Sequence, residues 1–237
     1  MINKIQRRNY VMIKKLTVLM LGVLMILSLV ACGNSSPAKT ASADDANSGN
    51  SQVNDTAQNE QTKGDRKMLV AYFSLAGEQY GVGVVEEGNT AIIAQMIAEQ
   101  TGADLFEIKP KTPYPTTYQE LLDVSRQEMT DKARPEIADT VDNMDDYDTI
   151  FIGYPNWWGD MPMIVYNFLE SYDLSGKTVV PFCTHGGSGL SDTESTIADI
   201  TGGTMKDGFE ILGTTAQDDR ETAKKEVTQW LKDGFIE

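Results

Sequence analysis

Three short stretches of the chain carry side chains whose types and spacing could do chemistry. The first runs from Ser74 to Thr90. It leaves an apolar run, Met68 to Phe73, passes Gly77, Gly81, Gly83 and Gly88, and ends at Asn89 and Thr90. There a helical pattern begins, with Ile92, Ile93, Met96 and Ile97 on one face. A helix that starts just beyond a strand end presents free backbone N–H groups and the positive end of its dipole. With hydroxyls from Ser74 and Thr90, and glycines that let the backbone approach closely, this stretch suits a phosphate monoester held without lysine or metal. It has neither the Gly-Lys-Ser/Thr of a nucleoside triphosphate loop nor the glycine spacing of a dinucleotide fingerprint. The plainer alternative is a glycine-rich turn that only redirects the chain.

The second stretch is Tyr154-Pro155-Asn156-Trp157-Trp158-Gly159-Asp160-Met161-Pro162. Two adjacent tryptophans are costly to expose, and neighbours in sequence do not easily point into one core. One of them is therefore expected to meet a ligand, and a flat indole stacks best on a flat ring. Gly159 adds backbone freedom beside them. The alternative is that both rings cap the sheet from the side. The third stretch, Thr184-His185-Gly186-Gly187-Ser188-Gly189, is rich in backbone donors and holds the only histidine of the chain. Such a loop can line the polar edge of a planar heterocycle. His185 is a candidate proton donor or charge neutraliser there, or else a hydrogen-bonded loop histidine without chemistry. Together the three stretches describe a ligand with a phosphate at one end and a flat, polar-edged ring at the other.

The elements that must position these loops alternate along the chain. Met68–Phe73 reads as a first buried strand and Ala103–Lys109 as a second, followed by a loop punctuated by Pro110, Pro113 and Pro115. Tyr118, Leu121, Leu122, Ser125 and Met129 mark a helix face. Thr149–Tyr154 is a third strand, Met163–Tyr172 a helix, Thr178–Cys183 a fourth strand and Thr193–Ile200 another helix. A short strand around Phe209–Leu212 precedes a last helix with Ala223, Val227, Trp230 and Leu231 on one face. Five strand–helix units predict an α/β fold with a parallel sheet between two helical layers. In such a sheet ligands bind outside the carboxyl ends of the strands, which is where all three loops lie.

The folded part is expected from about Arg66 to Glu237, long enough to bury roughly 70% of its unfolded surface. The segment 1–31 reads differently. Lys14 and Lys15 precede an apolar run from Leu16 to Leu27, and Leu29-Val30-Ala31-Cys32 follows. A positive flank, a short apolar run and small residues before a cleavage point describe a secretory signal. A spanning anchor would need ~20 apolar residues, more than this run supplies. Met12 is an alternative start. Residues 33–65 are Ser, Ala, Asn, Asp, Gln, Thr and Gly with almost no large apolar side chains, the composition of a tether reaching on the order of 30 Å.

The formal charge is −15, and loss of the five leader cations takes it to −20. That argues against nucleic acid as a partner and against electrostatic binding to an anionic membrane. One histidine and no cysteine cluster give no ordinary metal site. Of two cysteines, Cys32 falls at the cleavage point and Cys183 is left unpaired, predicted to be buried and inert.

These stretches carry a resemblance. Tyr72-Phe73-Ser74, Gly88-Asn89-Thr90, Gly153 to Gly159 as Gly-Tyr-Pro-x-Trp-Trp-Gly, and Pro181 to Gly189 as Pro-Phe-x-Thr-x-x-Gly-Ser-Gly resemble a branch of the flavodoxin family, in order and spacing across Met68 to Glu237. The Leu-Val-Ala-Cys ending resembles a bacterial lipobox. What the first resemblance implies is a flavodoxin-like three-layer fold, a five-stranded parallel sheet in order 2-1-3-4-5, and noncovalent FMN. Ser74, Gly88, Asn89 and Thr90 would hold its phosphate, Trp157 or Trp158, with Pro155, Asn156 and Gly159 around them, would cover the ring, and Thr184, His185, Gly186, Gly187, Ser188 and Gly189 would meet its edge. The second implies a lipid on Cys32 and a domain outside the cytoplasmic membrane, held to it through that anchor. Two departures stand out. Glu78 to Glu87 is an insertion carrying Tyr80 and Val82, able to fold over the ring, and the third loop lacks the second stacking tyrosine of many relatives, leaving a ring face open to a substrate. Asp199 to Thr204 only superficially resembles a flavin-attachment motif and has the wrong spacing.

The expected role is a membrane-tethered carrier of electrons at low potential, serving a redox partner protein or a small acceptor. A second reading is an NAD(P)H-dependent FMN reductase of quinones or similar molecules, with His185 as the catalytic candidate. A third is a lipoprotein binding module without redox chemistry, disfavoured by the intact Ser74, Asn89, Thr90 and Trp157-Trp158 set.

Overall fold

The computed structural model describes residues 67–235. The leader, the lipobox cysteine and the polar segment of the sequence analysis lie outside the described residues.

The elements follow one another as β1 (Met68–Tyr72), β2 (Gly77–Gln79), β3 (Gly83–Val85), α1 (Asn89–Thr101), β4 (Asp104–Glu107) and α2 (Tyr118–Asp131). Then come β5 (Thr149–Pro155), α3 (Met163–Glu170), β6 (Thr178–His185), α4 (Thr193–Thr201), β7 (Thr204–Met205), β8 (Phe209–Leu212), α5 (Gly213–Asp218) and α6 (Arg220–Gly234). The main sheet is parallel throughout, with β4, β1, β5 and β6 side by side and both β7 and β8 on the outer edge of β6. In the order of the predicted strands this is 2-1-3-4-5, the fifth place being shared by two short strands. β7 pairs with Thr178 and Val179, and β8 resumes at Phe182. The break falls at Pro181, whose nitrogen has no hydrogen to donate to a neighbouring strand.

β1 reads as an unbroken apolar run because both of its faces are covered. Leu69, Ala71 and Phe73 enter one core with Ile150, Ile152, Ile164 and Phe168, under α2, α3 and α4. Val70 and Tyr72 enter the other with Ile93, Ile97, Phe151, Val227 and Leu231, under α1 and α6. Cys183 belongs to the first core and is fully buried, as predicted. Burial pushes its thiol well above the ordinary range, so it presents no thiolate to reagents or oxidants.

Several predicted boundaries shift: β4 is trimmed to Asp104–Glu107, and α3 ends at Glu170. β6 runs two residues beyond Cys183, to His185, because its ladder with β5 continues to Pro155 and its ladder with β8 to Leu212. The insertion is a β-hairpin, β2 antiparallel to β3, with Tyr80-Gly81-Val82 at its tip and Gly81 at φ 73°. The order of parallel strands places the ends of β1, β5 and β6, and hence all three loops, along one edge.

Candidate functional site

At the end of β1 the chain turns so tightly that Gly88 lies against Leu75 and Ser74. A Cβ on Gly88 would fall inside the Leu75 carbonyl oxygen and the Ser74 Oγ. Gly88 itself has φ −71° and ψ 152°, open to any residue, so space and not backbone freedom demands a glycine. It is the N-cap of α1 and makes no side-chain cap; Ser74 supplies one from across the loop, its Oγ accepting the Ala91 N–H at 3.1 Å. That hydroxyl keeps its own proton for a ligand. The amides of Asn89 and Thr90, in the first turn, have no acceptor within the helix. The Asn89 Oδ1 is buried without a partner among the described residues. The Thr90 hydroxyl bonds the Thr184 hydroxyl at 2.8 Å, both side chains buried, and so ties the first loop to the third.

The second loop resolves the tryptophan pair. Trp157 and Asp160 exchange backbone hydrogen bonds (2.8 and 3.0 Å) across a two-residue turn in which Trp158 has φ 61° and Gly159 φ 82°. Positive φ at both central positions is the turn that suits a right-twisted ribbon, and it favours glycine or asparagine. A tryptophan there carries roughly 1–2 kcal/mol of strain. Strain of this kind collects at functional sites. Its geometric effect is to turn successive side chains apart. Trp157 packs inward, edge-on to Phe73 and Tyr114 with ring centroids 5.5 and 5.6 Å away. Trp158 turns outward, 41% exposed, with its Nε1–H donated to Ser125 Oγ at 3.0 Å and the Arg126 guanidinium 4.2 Å from its ring centre. Asn156 locks the turn: its Oδ1 accepts the Gly159 N–H, and its Nδ2 donates to the Gly189 carbonyl at 2.9 Å.

In the third loop the Gly187 N–H donates to His185 Nδ1 at 2.9 Å. The neutral ring therefore carries its proton on Nε2.

The three loops surround a cavity of about 510 Å³. Asn89, Pro155, Asn156, Trp157, Trp158, Gly159, Thr184, His185, Gly186 and Ser188 line it. Ser74 and Thr90 line a smaller recess of about 10 Å³ beside it, which shares Asn89, Pro155, Trp157 and Thr184 with the cavity. Gly88, Gly187 and Gly189 line neither and act through the backbone contacts just described. The sequence reading expected the insertion to fold over the ring but missed the part of the outer wall that α2 supplies. Tyr118, Leu121, Leu122 and Ser125 of α2 form it, with Glu78, Gln79 and Tyr80 of the hairpin. The α2 face had looked like a packing stripe. Its polar members, Tyr118 and Ser125, were the signal that it serves more than a core. Gly213, at the start of α5, was also missed: a Cβ there would strike the Asn89 amide. Burial, and secondarily Tyr80, raises the Tyr118 phenol, so it faces the cavity neutral at physiological pH.

The donor chemistry of these residues suits a phosphate ester of a flat ring, and at about 10 Å³ the recess as it stands has room for about one water. The recess joins free helix amides, the Ser74 hydroxyl and the Gln79 amide; the orphaned Asn89 Oδ1, which lines recess and cavity alike, awaits a hydroxyl or N–H donor; and Trp158 offers a ring face in the cavity. Over residues 67–233 the chain matches the family model described as flavodoxin. The chain belongs to the flavodoxin family. Among solved structures it is similar to an inferred flavoprotein of Bacteroides uniformis ATCC 8492, 34% identical over 70% of this chain and 98% of that one, with a TM-score of 0.56. An inferred flavoprotein of Bacteroides eggerthii DSM 20697 is 33% identical over 70% of this chain and 96% of that one, also with a TM-score of 0.56. A flavoprotein of Lactobacillus acidophilus NCFM, in complex with FMN, is 21% identical over 66% of this flavodoxin-family chain and 99% of that one, with a TM-score of 0.50. No curated protein matches the chain significantly.

Proposed function

We propose that the protein is a membrane-tethered, FMN-binding carrier of electrons that works at low reduction potential. The observation that carries this reading is the meeting, along one sheet edge, of the α1 amides, the orphaned Asn89 acceptor and the strained, outward Trp158 ring. FMN supplies the one- and two-electron chemistry; the chain's own residues bind and orient it. Ser74, the Asn89 and Thr90 amides and Gln79 would hold the phosphate, with the α1 dipole favouring its charge. Asn89 Oδ1 would accept from the chain that links phosphate to ring. Trp158 would stack on the ring, while Thr184 and the Gly186 to Ser188 backbone would meet its polar edge. His185, whose Nδ1 accepts the Gly187 N–H, would offer Nε2–H as a donor.

Low potential follows from charge. A strongly acidic protein, −15 by sequence, opposes added negative charge on a bound ring. The test begins with the full chain purified in detergent: FMN is added, the excess removed, and the visible spectrum and flavin fluorescence recorded. Retained, quenched flavin is the expected result; a colourless protein that leaves FMN fluorescence unchanged sinks the reading. A reductive titration in increasing salt should then show the potential rising as the acidic field is screened. Steady-state oxidation of reduced nicotinamide would instead identify a reductase, for which His185 in the cavity is the favourable observation.

The tether rests on sequence alone. Lipid on Cys32 would leave the flavin domain on the outer side of the membrane at the end of a polar segment. Cys32→Ser is expected to move the protein from the membrane to the soluble extracytoplasmic fraction. Equal membrane retention in the variant would exclude the lipid anchor.

A further inference from the structure

Beyond His185 the third loop has no side chain large enough to cover a flat ring: from Gly186 to Gly189 it is Gly, Gly, Ser, Gly. The structure places an aromatic ring on this loop from elsewhere. Tyr80, at the tip of the inserted hairpin, lies directly on Gly186; a Cβ there would sit 2.6 and 2.9 Å from two carbons of the Tyr80 ring, and the three atoms nearest to it all belong to Tyr80. Gly186 has no positive φ, so the ring, and not the backbone, is what keeps this position bare. The same ring lines the cavity and meets Tyr118 at 6.1 Å between centroids. It is nevertheless 65% exposed, a poor use of a tyrosine if packing were its only purpose.

The hairpin is held, not hanging. Its Glu78 carboxylate accepts the Tyr118 N–H at 2.8 Å and the Glu78 N–H donates to the Thr116 carbonyl at 2.9 Å. Gln79 donates to the Leu75 carbonyl at 3.2 Å. Beyond the hairpin, Arg220 and Gln217 fix Glu87 at the carboxylate and the carbonyl. Tyr118 and Ser125, the α2 residues that meet Tyr80 and Trp158, are seven residues and so about 10 Å apart along the helix axis. A flat ring inserted between two stacking partners needs about 7 Å, which that spacing accommodates.

We propose that Tyr80 is the second stacking residue of this site: the first loop lends the third the aromatic side chain it lacks, and Tyr80 covers the flavin face turned away from Trp158. This rests on the FMN reading above. The hairpin then controls access to the ring, and the glycine at 186 exists to seat Tyr80.

The experiment is a double-mutant cycle on the full chain in detergent, with FMN dissociation constant, flavin fluorescence and quenching of bound flavin by neutral acrylamide as readouts. Tyr80→Ala and Gly186→Ala are each expected to weaken FMN binding about tenfold, raise its fluorescence and open it to acrylamide. Tyr80→Phe keeps the ring and should restore the parent behaviour. The double variant should be no worse than Tyr80→Ala, because the added Cβ then meets the space the ring has left. Tyr80 is largely solvent-exposed, so its truncation leaves both cores intact, and thermal melts of each variant check this. If the parent retains quenched FMN while Tyr80→Ala binds and shields it equally well, the inference is wrong and the FMN reading survives. Strictly additive losses overturn it too. A parent chain that binds no FMN overturns both.

Discussion

Gly88→Ala should reduce FMN affinity by on the order of 100-fold while leaving the rest of the fold in place. The new methyl group has nowhere to go. It would fall inside the Leu75 carbonyl oxygen and the Ser74 hydroxyl, with the Leu75 carbonyl carbon only 2.8 Å away. Two of the three neighbours are backbone, so no rotamer change relieves the clash, and the loop must move away from the α1 N-terminus. Overpacking of this kind costs about 1–3 kcal/mol, and near its upper end that is two powers of ten in a binding constant. The displacement takes Ser74 from Ala91, which loses its cap, and breaks the alignment of hydroxyl and helix amides that would receive a phosphate. Isothermal titration of the variant with FMN measures the loss, and riboflavin, which lacks the phosphate, is the control: its affinity should change far less. Equal losses for both ligands would place the damage at the ring and not at the phosphate.

The second large effect separates the adjacent tryptophans. Trp157→Ala should destabilise the protein by about 3 kcal/mol, since it empties a place between Phe73 and Tyr114 at the edge of the core. For a domain of this size that lowers the melting temperature by on the order of 10 °C. Trp158→Gly should act on binding and leave stability nearly unchanged. It gives up the Ser125 hydrogen bond and the Arg126 contact but relieves a tryptophan held at φ 61°, so its net effect on apo-protein stability is expected within about 1 kcal/mol. Its FMN affinity should fall about tenfold, the value of one stacking partner, and the bound flavin should regain fluorescence. Melting curves without FMN and titrations with it read the two properties separately. Should Trp157→Ala lose flavin quenching at unchanged stability, the roles of the two rings are reversed.

Much of the fold was legible because the signals were local and redundant. Met68 to Phe73 and Thr149 to Tyr154 read as buried strands, since a parallel strand covered on both faces must be apolar at every position. The alternation of strands with amphipathic helices required a parallel sheet, and that alone sent the Ser74, Tyr154 and Thr184 loops to one edge. The burial of Cys183 was expected of a cysteine left without a disulfide partner. Ser74, Asn89, Thr90 and the glycine loop were legible as a site for the same reason: residue types that suit an anion stood where a helix begins.

Other features were decided only by contacts between distant parts of the chain. Gly88 reads as one of several glycines that permit close backbone approach, but only the structure shows which contact requires it: its backbone is ordinary, and what excludes a side chain is a carbonyl thirteen positions earlier. Thr90 reads as a ligand hydroxyl, and only the fold shows that it also bonds Thr184, 94 residues away. The α2 stripe of Tyr118, Leu121, Leu122 and Ser125 had the period of a core face; where the sheet ends beneath it, the same face becomes a cavity wall. Which tryptophan faces outward depends on one positive φ, a choice that composition does not encode. The inserted hairpin could be recognised as extra sequence, but its target, the bare Gly186, was visible only once the chain was folded. Sequence determined the strands, the helices and the edge on which they place their loops, because burial acts residue by residue. The tertiary structure decided which side chains in those loops face a ligand, because that depends on the space left by neighbours far along the chain.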